Sequence, residues 1–414
     1  MNAALRIGDF KDDFDPFTAL LTVGGEGHIL DPYPELARLR RQAPVHALDL
    51  HSHVGAPKHL YIGDRPTYTV LGWDEVNHVL STPTEFTNKV YEDYLGITFG
   101  KTITAMDPPE HTRYRKLVQS AFTPKVLDGL RPMFQAVIDR LIDKFVQRGK
   151  ADLVQEFALH FPFQFIMDLM KMDMEQRPTY HKIAMAQMCV FFDRDHGVEA
   201  SRILGEFLDQ LVNQRRELND DSDFVSMMAN AQVEGERLPQ EIVVSFFRQL
   251  MNAGGDTSYH GFSNTLAAIL NHPEQFAMIK KDRNLIPAAI DESLRWNGPL
   301  VGIGRGALRD VKLGGVDIPK GAFVHVGIGA ANRDEKVFPN ADKFDITRPP
   351  HRHNAFGFGP HICVGQHLAR MELVMALNTL LDRLPNLKLD ASMPPPQIRG
   401  VSLRGAEHAH VTFG

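Results

Sequence analysis

Residues 356–365 carry the group in this chain that is best suited to chemistry. They read FGFGPHICVG, with three glycines and a proline close to Cys363. This composition predicts a tight backbone with positive φ angles or a close approach to another group. A helical pattern follows the cysteine at once, and the free N–H groups and positive dipole end of a helix N-terminus favour an anion. We therefore expect the pKa of Cys363 to be lowered toward the thiolate, the form that binds metals.

Two other roles for a cysteine remain open at this point. Cys189, the only other cysteine, lies in a Met-Cys-Val-Phe run and is predicted to be a small buried core residue. Cys363 could instead join a zinc site, although such sites usually contain two or more cysteines. The histidines available for it are His351, His353, His361 and His367. The glycines favour a ligand role for Cys363, because a core cysteine does not need them.

A long helical pattern over residues 239–271 carries a second group of polar residues at its middle. A helix of this length would extend about 50 Å. Each of the adjacent Gly254 and Gly255 costs about 1 kcal/mol relative to alanine, so either a neighbouring helix or a flat ligand should approach closely there. Asp256 needs a hydrogen-bonding partner if it is buried. The Thr257 hydroxyl is predicted to bond to the carbonyl four residues earlier.

The cysteine segment resembles the haem-binding signature of the cytochrome P-450 family, F-x-x-G-x-x-x-C-x-G. Phe356, Gly359, Cys363 and Gly365 match it, and His361 takes the position of its usual basic residue. The resemblance implies that Cys363 is the axial ligand of the haem iron. A thiolate there donates electron density to the iron and favours O–O cleavage. It also implies a mainly α fold with small β-sheets at one side, and haem between the long central helix and the cysteine-loop helix.

The middle of the long helix resembles the oxygen-binding motif of the same family, A/G-G-x-D/E-T, in residues 253–257. The resemblance implies that Thr257 positions oxygen and water and that Asp256 helps to deliver protons. Both would be catalytic residues, and proton delivery by a positioned group is ordinary acid–base catalysis. A peroxide-using peroxygenase is the alternative within haem chemistry, and the intact Asp256-Thr257 pair disfavours it.

Haem propionates require cationic or hydrogen-bonding partners, and arginine suits carboxylates best. On composition alone, His111 and Arg115 would belong to a solvated basic helix. They match the H-x-x-x-R motif of the helix that binds the propionates in the cytochrome P-450 family. The resemblance adds Arg305 and His361 to this set. Phe356, Gly359 and Gly365 complete the predicted cofactor-binding residues.

Glu292 and Arg295 are three residues apart on a predicted helix, where they can pair. As an exposed pair they would contribute little to stability. They match the E-x-x-R motif of the family, whose third member would here be Arg348. The resemblance implies a buried structural network that anchors the cysteine loop.

The resemblance also implies a lipophilic substrate, which is the common case for apolar cavities. The predicted walls are Leu250, Gly254, Leu300, Val301, Ile303, Val401 and Leu403. Tyr91, Tyr94 and Phe99, from the variable segment at residues 86–99, are predicted to add to these walls. Residues 188–192 are predicted to form a lid.

The predicted activity is a haem-thiolate monooxygenase that inserts one oxygen atom from O₂ into a lipophilic small molecule, with hydroxylation favoured. Heme b is the expected cofactor and O₂ the co-substrate. Electrons would come from NAD(P)H through separate partners, a ferredoxin and its reductase, because no glycine-rich nucleotide motif is present. An acidic donor could dock on a basic patch, which we predict to contain Arg113, Lys116, His367 and Arg370.

Composition limits the other classes of function. The 414 residues include 45 basic and 51 acidic side chains, a net charge of −6, so no general attraction to nucleic acid or anionic lipid is expected. No run of about 18 apolar residues predicts a membrane span. The first 20 residues lack the apolar centre of a signal peptide. These features favour a cytoplasmic protein with a single domain over residues 1–414.

The elements that must position these residues follow from the same patterns. Helical patterns dominate between residues 108 and 297. A Gly314-Gly315 pair between two short apolar runs predicts a β-hairpin whose turn needs positive φ. The further predictions are helices over residues 126–147 and 365–384, and strands over 60–62 and 67–71.

Overall fold

A computed structural model describes residues 5–22, 28–219, 223–233 and 235–414. Residues 1–4 of the N-terminal segment discussed above lie outside this part. The helices within it are α1 Pro16–Thr22, α2 Tyr33–Gln42, α3 Leu50–His53, α4 Trp73–Ser81, α5 Leu95–Phe99, α6 Glu110–Ser120, α7 Pro124–Ile142, α8 Phe161–Leu169, α9 Arg177–Met188, α10 Arg194–Leu218, α11 Phe224–Asn230, α12 Gln240–Asn271, α13 Pro273–Lys281, α14 Ile286–Asn297, α15 Ile328–Ala331 and α16 Gln366–Arg383.

The strands are short. They are β1 Val45–His46, β2 Thr67–Val70, β3 Phe86–Thr87, β4 Lys150–Asp152, β5 Gln232–Val233, β6 Glu236–Arg237, β7 Ile303–Ala307, β8 Val311–Leu313, β9 Val316–Ile318, β10 Phe323–Val326, β11 Lys388–Leu389, β12 Ile398–Arg399, β13 Gly405–Ala406 and β14 His410–Thr412.

Helix α12 is the central element, and its 32 residues confirm the long helix predicted from the sequence. It follows Pro239 and ends at His272, immediately before a proline that cannot continue the hydrogen-bond ladder. It packs against α8, α10, α14 and α16. Two thirds of its length is therefore enclosed by other helices, and the main apolar core forms around it.

A five-stranded sheet in the order β1-β2-β10-β7-β3 stands beside the helices. The predicted hairpin is confirmed as β8 and β9, and Gly314 and Gly315 have φ values of +55° and +83°. Residues 67–70 form β2, as predicted, and pair in parallel with β10.

The predicted strand at residues 60–62 is wrong. Leu60–Ile62 is a 3₁₀ turn in which the Ile62 N–H donates to the His59 carbonyl, 3.2 Å away. Gly63 ends it with a φ of +56°. The apolar run is therefore folded on itself by a local hydrogen bond and a glycine, and the chain becomes extended only at Thr67. No helix within the described ranges is long and apolar enough to cross a membrane.

Candidate active site

A cavity of about 820 Å³ lies between α12 and the cysteine loop, residues 356–365. Its lining is mainly apolar. Cys363 borders it from the loop, and Asp256 and Thr257 border it from α12. The two chemical groups predicted from separate parts of the sequence therefore meet at one enclosed space.

The backbone of the cysteine loop explains its glycines. Gly357 and Gly359 have φ values of +74° and +73°, a region that other residues rarely adopt. A Cβ on Gly359 would also lie 2.5 Å from the Leu80 carbonyl oxygen at the end of α4. The Cys363 N–H donates to the Phe356 carbonyl at 2.8 Å, which closes the loop on itself. The cysteine is thus held on a rigid backbone immediately before α16.

The Cys363 side chain is exposed to the cavity although protein surrounds it on the other sides. Burial raises the pKa of this thiol, while the Gly365 N–H and the Arg115 and Arg370 guanidinium groups lower it in part. The helix N-terminus acts in the predicted direction, but the net shift of the pKa is upward. Desolvation of the charged form outweighs the few donors that reach the sulfur.

Three of the four residues predicted to bind propionates, Arg115, Arg305 and His361, border the cavity at one corner, and His111 lies beside His361. The His111 and His361 rings lie 3.9 Å apart between centroids. Both ring nitrogens of His111 and Nε2 of His361 are buried without a hydrogen-bond partner. Arg115 donates to the Ile362 carbonyl, and Arg305 donates to the Gly304 carbonyl at 2.7 Å. Two buried arginines and an unpartnered imidazole that border one cavity fit a ligand with carboxylate groups.

The lowered pKa values of His111 and His361 favour the neutral imidazole, with one N–H, at neutral pH. Burial and the neighbouring Arg115 lower the pKa of His111 to about 4. Burial, His111 and the two arginines lower the pKa of His361 to about 2. These imidazoles can therefore act as hydrogen-bonding groups, and the positive charge of the corner resides on the arginines.

The α12 wall has the predicted local bond. The Thr257 hydroxyl donates to the Ala253 carbonyl at 2.6 Å. Asp256 is 2% exposed, and its Oδ1 has no hydrogen-bond partner although His260 Nδ1 lies 3.2 Å away. His260 Nδ1 instead donates to the Asp256 backbone carbonyl at 2.8 Å. A buried carboxylate with spare acceptor capacity therefore borders the cavity.

The adjacent glycines of α12 have different neighbours. A Cβ on Gly255 would lie 2.5 Å from the Phe163 ring of α8, so this glycine permits close helix packing. Gly254 borders the cavity beside Ile166. A Cβ on Gly254 would lie 3.0 Å from Ile166 Cδ1, also on α8, so close helix packing applies to both glycines. The alternative of an approaching ligand stays a prediction for Gly254.

Most of the predicted substrate walls border the cavity. They are Leu250, Gly254, Leu300, Ile303 and Leu403, together with Tyr91, Tyr94, Phe99, Met188, Phe191 and Phe192. Val301 and Val401 do not, and their prediction as walls is wrong. Val301 is fully buried against the apolar cluster of Tyr33, Leu36 and Leu50, because the bend that precedes β7 packs its side chain toward α2 and α3. Val401 is only 1% exposed and packs in the core.

A polar group at another part of the cavity lining was not predicted from the sequence. His51, His59 and His325 meet there, with ring centroids 4.1 Å apart for His51 and His59 and 5.2 Å for His51 and His325. Burial and the neighbouring His325 lower the pKa of His59 to about 4. Each residue comes from a different segment, so no local motif could have indicated the group.

The predicted Glu–Arg network is present and buried. Glu292 accepts two hydrogen bonds from Arg295, at 2.7 and 2.8 Å, and two from Arg348, both at 3.2 Å. Arg295 also donates to the Asn332 carbonyl at 2.8 Å. The Asn332 side chain accepts from the Asn354 N–H at 2.6 Å, two residues before the cysteine loop. A continuous chain of polar contacts therefore joins α14 to the loop.

We predict that Glu292→Gln destabilises the fold by about 3–5 kcal/mol, because it leaves the buried Arg295 and the half-buried Arg348 without their carboxylate. Urea unfolding of the haem-loaded protein, followed by circular dichroism, measures the change. Glu274→Gln on α13 is the control, since an exposed glutamate should change stability by no more than about 0.5 kcal/mol. Equal urea midpoints for the two variants would contradict the buried network.

The predicted basic patch is correct in part. Arg113, Lys116 and His367 are exposed beside the cysteine loop. Arg370 is not an open cation, because it donates to Asp291 at 2.8 Å and lies over the Phe356 ring at 4.4 Å. Asp291 is on α14 and Arg370 is on α16, and their contact could not be predicted from the sequence.

The zinc alternative for Cys363 finds no support. Within the described part of the chain, two groups of three side chains could hold a metal ion, and neither contains Cys363. Cys189 is fully buried, and its thiol donates to the Pro16 and Met185 carbonyls at 3.9 and 3.8 Å, as expected for a core cysteine.

The fold and this cavity define a helical protein with a cysteine and an acid–alcohol pair at one apolar space, and comparison with known proteins identifies the family. The cytochrome P-450 family model matches residues 34–408. Cytochrome P-450 107B1 of Saccharopolyspora erythraea is 36% identical over 313 residues, 74% of this chain and 76% of that protein. The cytochrome P-450 monooxygenase PikC of Streptomyces venezuelae is 32% identical over 91% of both chains. The chain belongs to the cytochrome P-450 family.

Solved structures agree with this assignment. A cytochrome P-450 of Bacillus megaterium in complex with testosterone superposes with a TM-score of 0.80 and 26% identity, over 93% of this chain and 99% of that one. The chain therefore has the cytochrome P-450 fold and is an oxidoreductase of the monooxygenase class. Membership implies a haem-iron cofactor and the use of O₂. The corner of His111, Arg115, Arg305 and His361 fits such a group, and so does the cavity beside Cys363.

Proposed function

We propose that this protein binds heme b and hydroxylates a lipophilic small molecule with one oxygen atom of O₂. Cys363 would hold the iron, and His111, Arg115, Arg305 and His361 would bind the propionates. Phe356, Gly359 and Gly365 would shape the loop against the macrocycle. When bound, the haem supplies the activation of O₂.

One observation carries this proposal: a free cysteine, a buried aspartate and its neighbouring threonine border the same apolar cavity. Thr257 would orient water in the cavity through a hydroxyl that is already fixed to the Ala253 carbonyl. Asp256 would accept and pass on protons through its unpartnered Oδ1. Leu250, Gly254, Leu300, Ile303 and Leu403 would hold an apolar substrate and exclude bulk water.

The absorption spectrum of the reduced, CO-treated protein tests the proposal. A haem with a thiolate ligand should give a strongly red-shifted Soret band. A haem with another ligand, or a protein that binds no haem, would contradict it. A screen of lipophilic compounds for ligand-induced changes of spin state should then identify the substrate class.

We further propose that electrons reach the site from NAD(P)H through a separate ferredoxin and ferredoxin reductase. Membership of the family implies a redox partner. The exposed cations on α6 and α16 support an acidic one, because α6 contacts the cysteine loop through Arg115. We also propose a cytoplasmic location and a single domain over residues 1–414, which agree with electron delivery by separate proteins.

We predict that Lys116→Glu slows reduction by ferredoxin several-fold at low ionic strength, since a charge at the rim of an interface acts mainly on the association rate. Stopped-flow reduction at two salt concentrations measures the effect, which should shrink at high salt. Lys312→Glu, an equal change of charge on the exposed strand β8, is the control. Equal rates for the two variants would exclude this docking surface.

A further inference from the structure

Three side chains at the polar part of the cavity lining have the chemistry of metal ligands. One ligand atom from each of Asp49, His51 and His325 lies within 4.8 Å of the other two. His325 Nε2 is 2.9 Å from Asp49 Oδ2. His51 and His325 are only 7% and 3% exposed. Imidazole and carboxylate are the ligands that zinc and similar divalent cations prefer after thiolate.

Regular elements hold these ligands in place. Asp49 is the N-cap of α3, and its Oδ1 accepts the Ser52 N–H at 2.8 Å. His51 lies in the first turn of the same helix. His325 stands on β10, which is paired on both sides, with β2 and with β7. The cluster is therefore preorganised by a capped helix and an interior strand, which reduces the ordering that binding would require.

The hydrogen bonds around the cluster resemble those around metal-binding histidines. His51 Nε2 lies 3.1 Å from the Ser402 hydroxyl. Its other nitrogen, Nδ1, is buried and has no hydrogen-bond partner in the described part of the chain. Histidines that bind metals commonly use one ring nitrogen for the metal and donate from the other to an outer partner. His51 has that arrangement, and an unpartnered nitrogen is otherwise unfavourable in a buried position.

We propose that Asp49, His51 and His325 bind one divalent cation of the zinc type. His51 would supply Nδ1, while Ser402 fixes its ring from the other side. His51, His325 and Ser402 also border the cavity. Sites with three protein ligands keep a position for water or another ligand, so the bound cation would present that position to the substrate space. This site is separate from Cys363 and does not depend on the haem chemistry.

The chain offers an internal control. Asp152, His408 and His410 also place ligand atoms within 4.8 Å of one another, but His408 is 55% exposed. His408 Nδ1 is already 2.6 Å from Asp152 Oδ2. A surface cluster of this kind should bind zinc more weakly than the enclosed one, and substitution there should leave the enclosed site intact.

Zinc binding to the full-length, haem-loaded protein tests the proposal. The protein is treated with a chelator, titrated with Zn²⁺ in a calorimeter, and analysed for zinc and iron after gel filtration. We expect the unaltered protein and His408→Ala to retain one zinc per chain. His51→Ala and His325→Gln should bind Zn²⁺ at least about tenfold more weakly. Absence of retained zinc in the unaltered protein, or equal affinity in His51→Ala, would overturn the proposal.

Further measurements distinguish the loss of a zinc ligand from misfolding of the variant. Ser402→Ala keeps all three ligands and should weaken Zn²⁺ binding about tenfold through the lost partner of His51. Unchanged iron content and circular dichroism show that each variant is folded. Crystals grown with Zn²⁺ should give an anomalous peak between Asp49, His51 and His325. An intact hydrogen bond from His325 to Asp49 without such a peak would contradict the site.

Discussion

Replacement of Cys363 by alanine is expected to abolish the red-shifted Soret band of the reduced, CO-treated protein, and product formation with it. The sulfur borders the cavity from the rigid backbone of the cysteine loop, beside α16. Without the thiolate, the iron loses the electron donation that favours O–O cleavage. The change should be complete, because no second cysteine is near: Cys189 is buried among α1 and α9.

Cys189→Ala is the matched control for this experiment. It also removes one sulfur, but from the core, where the expected cost is a modest loss of stability from a small cavity. Its haem content and CO spectrum should equal those of the unaltered protein. Survival of the shifted band in Cys363→Ala, or its loss in Cys189→Ala, would show that the ligand has been assigned to the wrong residue.

Three features of the fold could be predicted from the sequence because each depends on local backbone rules. The backbone of the cysteine loop has positive φ angles at Gly357 and Gly359, and only glycine adopts these angles readily. A run of closely spaced glycines therefore predicts such a loop. The Thr257 hydroxyl bond to Ala253 follows from helical geometry. The hairpin at β8 and β9 follows from two adjacent glycines. In each case the information lies within about ten residues.

The failed predictions about side chains at the site depend on contacts between distant segments, whereas the strand predicted at residues 60–62 failed for the local reason given above. Val301 points away from the cavity, which is decided by how the segment after α14 lies against α2 and α3. Arg370 is held by Asp291 on another helix, 79 residues away. The net pKa shift of Cys363 depends on the burial of the whole loop, which outweighs the local helix N-terminus. The sequence indicates the helix N-terminus that lowers the pKa of Cys363, but it does not show the burial that raises this pKa.

The polar cluster at the cavity shows the same limit more clearly. Asp49 and His325 are 276 residues apart and meet only because β10 passes beside the start of α3. Neither lies in a metal-binding pattern such as a pair of histidines one helical turn apart. Any of the 19 histidines of the chain could be a metal ligand by residue type, but only the fold shows that His51 and His325 lie beside Asp49.

Asp256→Asn is expected to lower the turnover number by about 10²–10⁴-fold while haem and substrate binding change little, because a positioned proton donor contributes about that much to catalysis. The amide keeps the size of the side chain and its place near His260 but cannot carry a proton away. Turnover measured in H₂O and D₂O separates this role from a structural one, since a slowed proton transfer should enlarge the solvent isotope effect. An unchanged isotope effect would assign Asp256 a positioning role only.

Thr257→Val should separate electron use from product formation. It keeps the volume but removes the hydroxyl that is fixed to the Ala253 carbonyl, so NAD(P)H consumption should continue while the fraction of electrons that reach product falls several-fold. Thr265→Val is a close control: Thr265 is on the same helix, its hydroxyl donates to the Gly261 carbonyl at 2.8 Å, and its side chain is buried away from the cavity. If both variants lose product yield equally, bending of α12 by its threonines explains the effect. If only Thr257→Val does so, the hydroxyl at the cavity is what proton delivery requires.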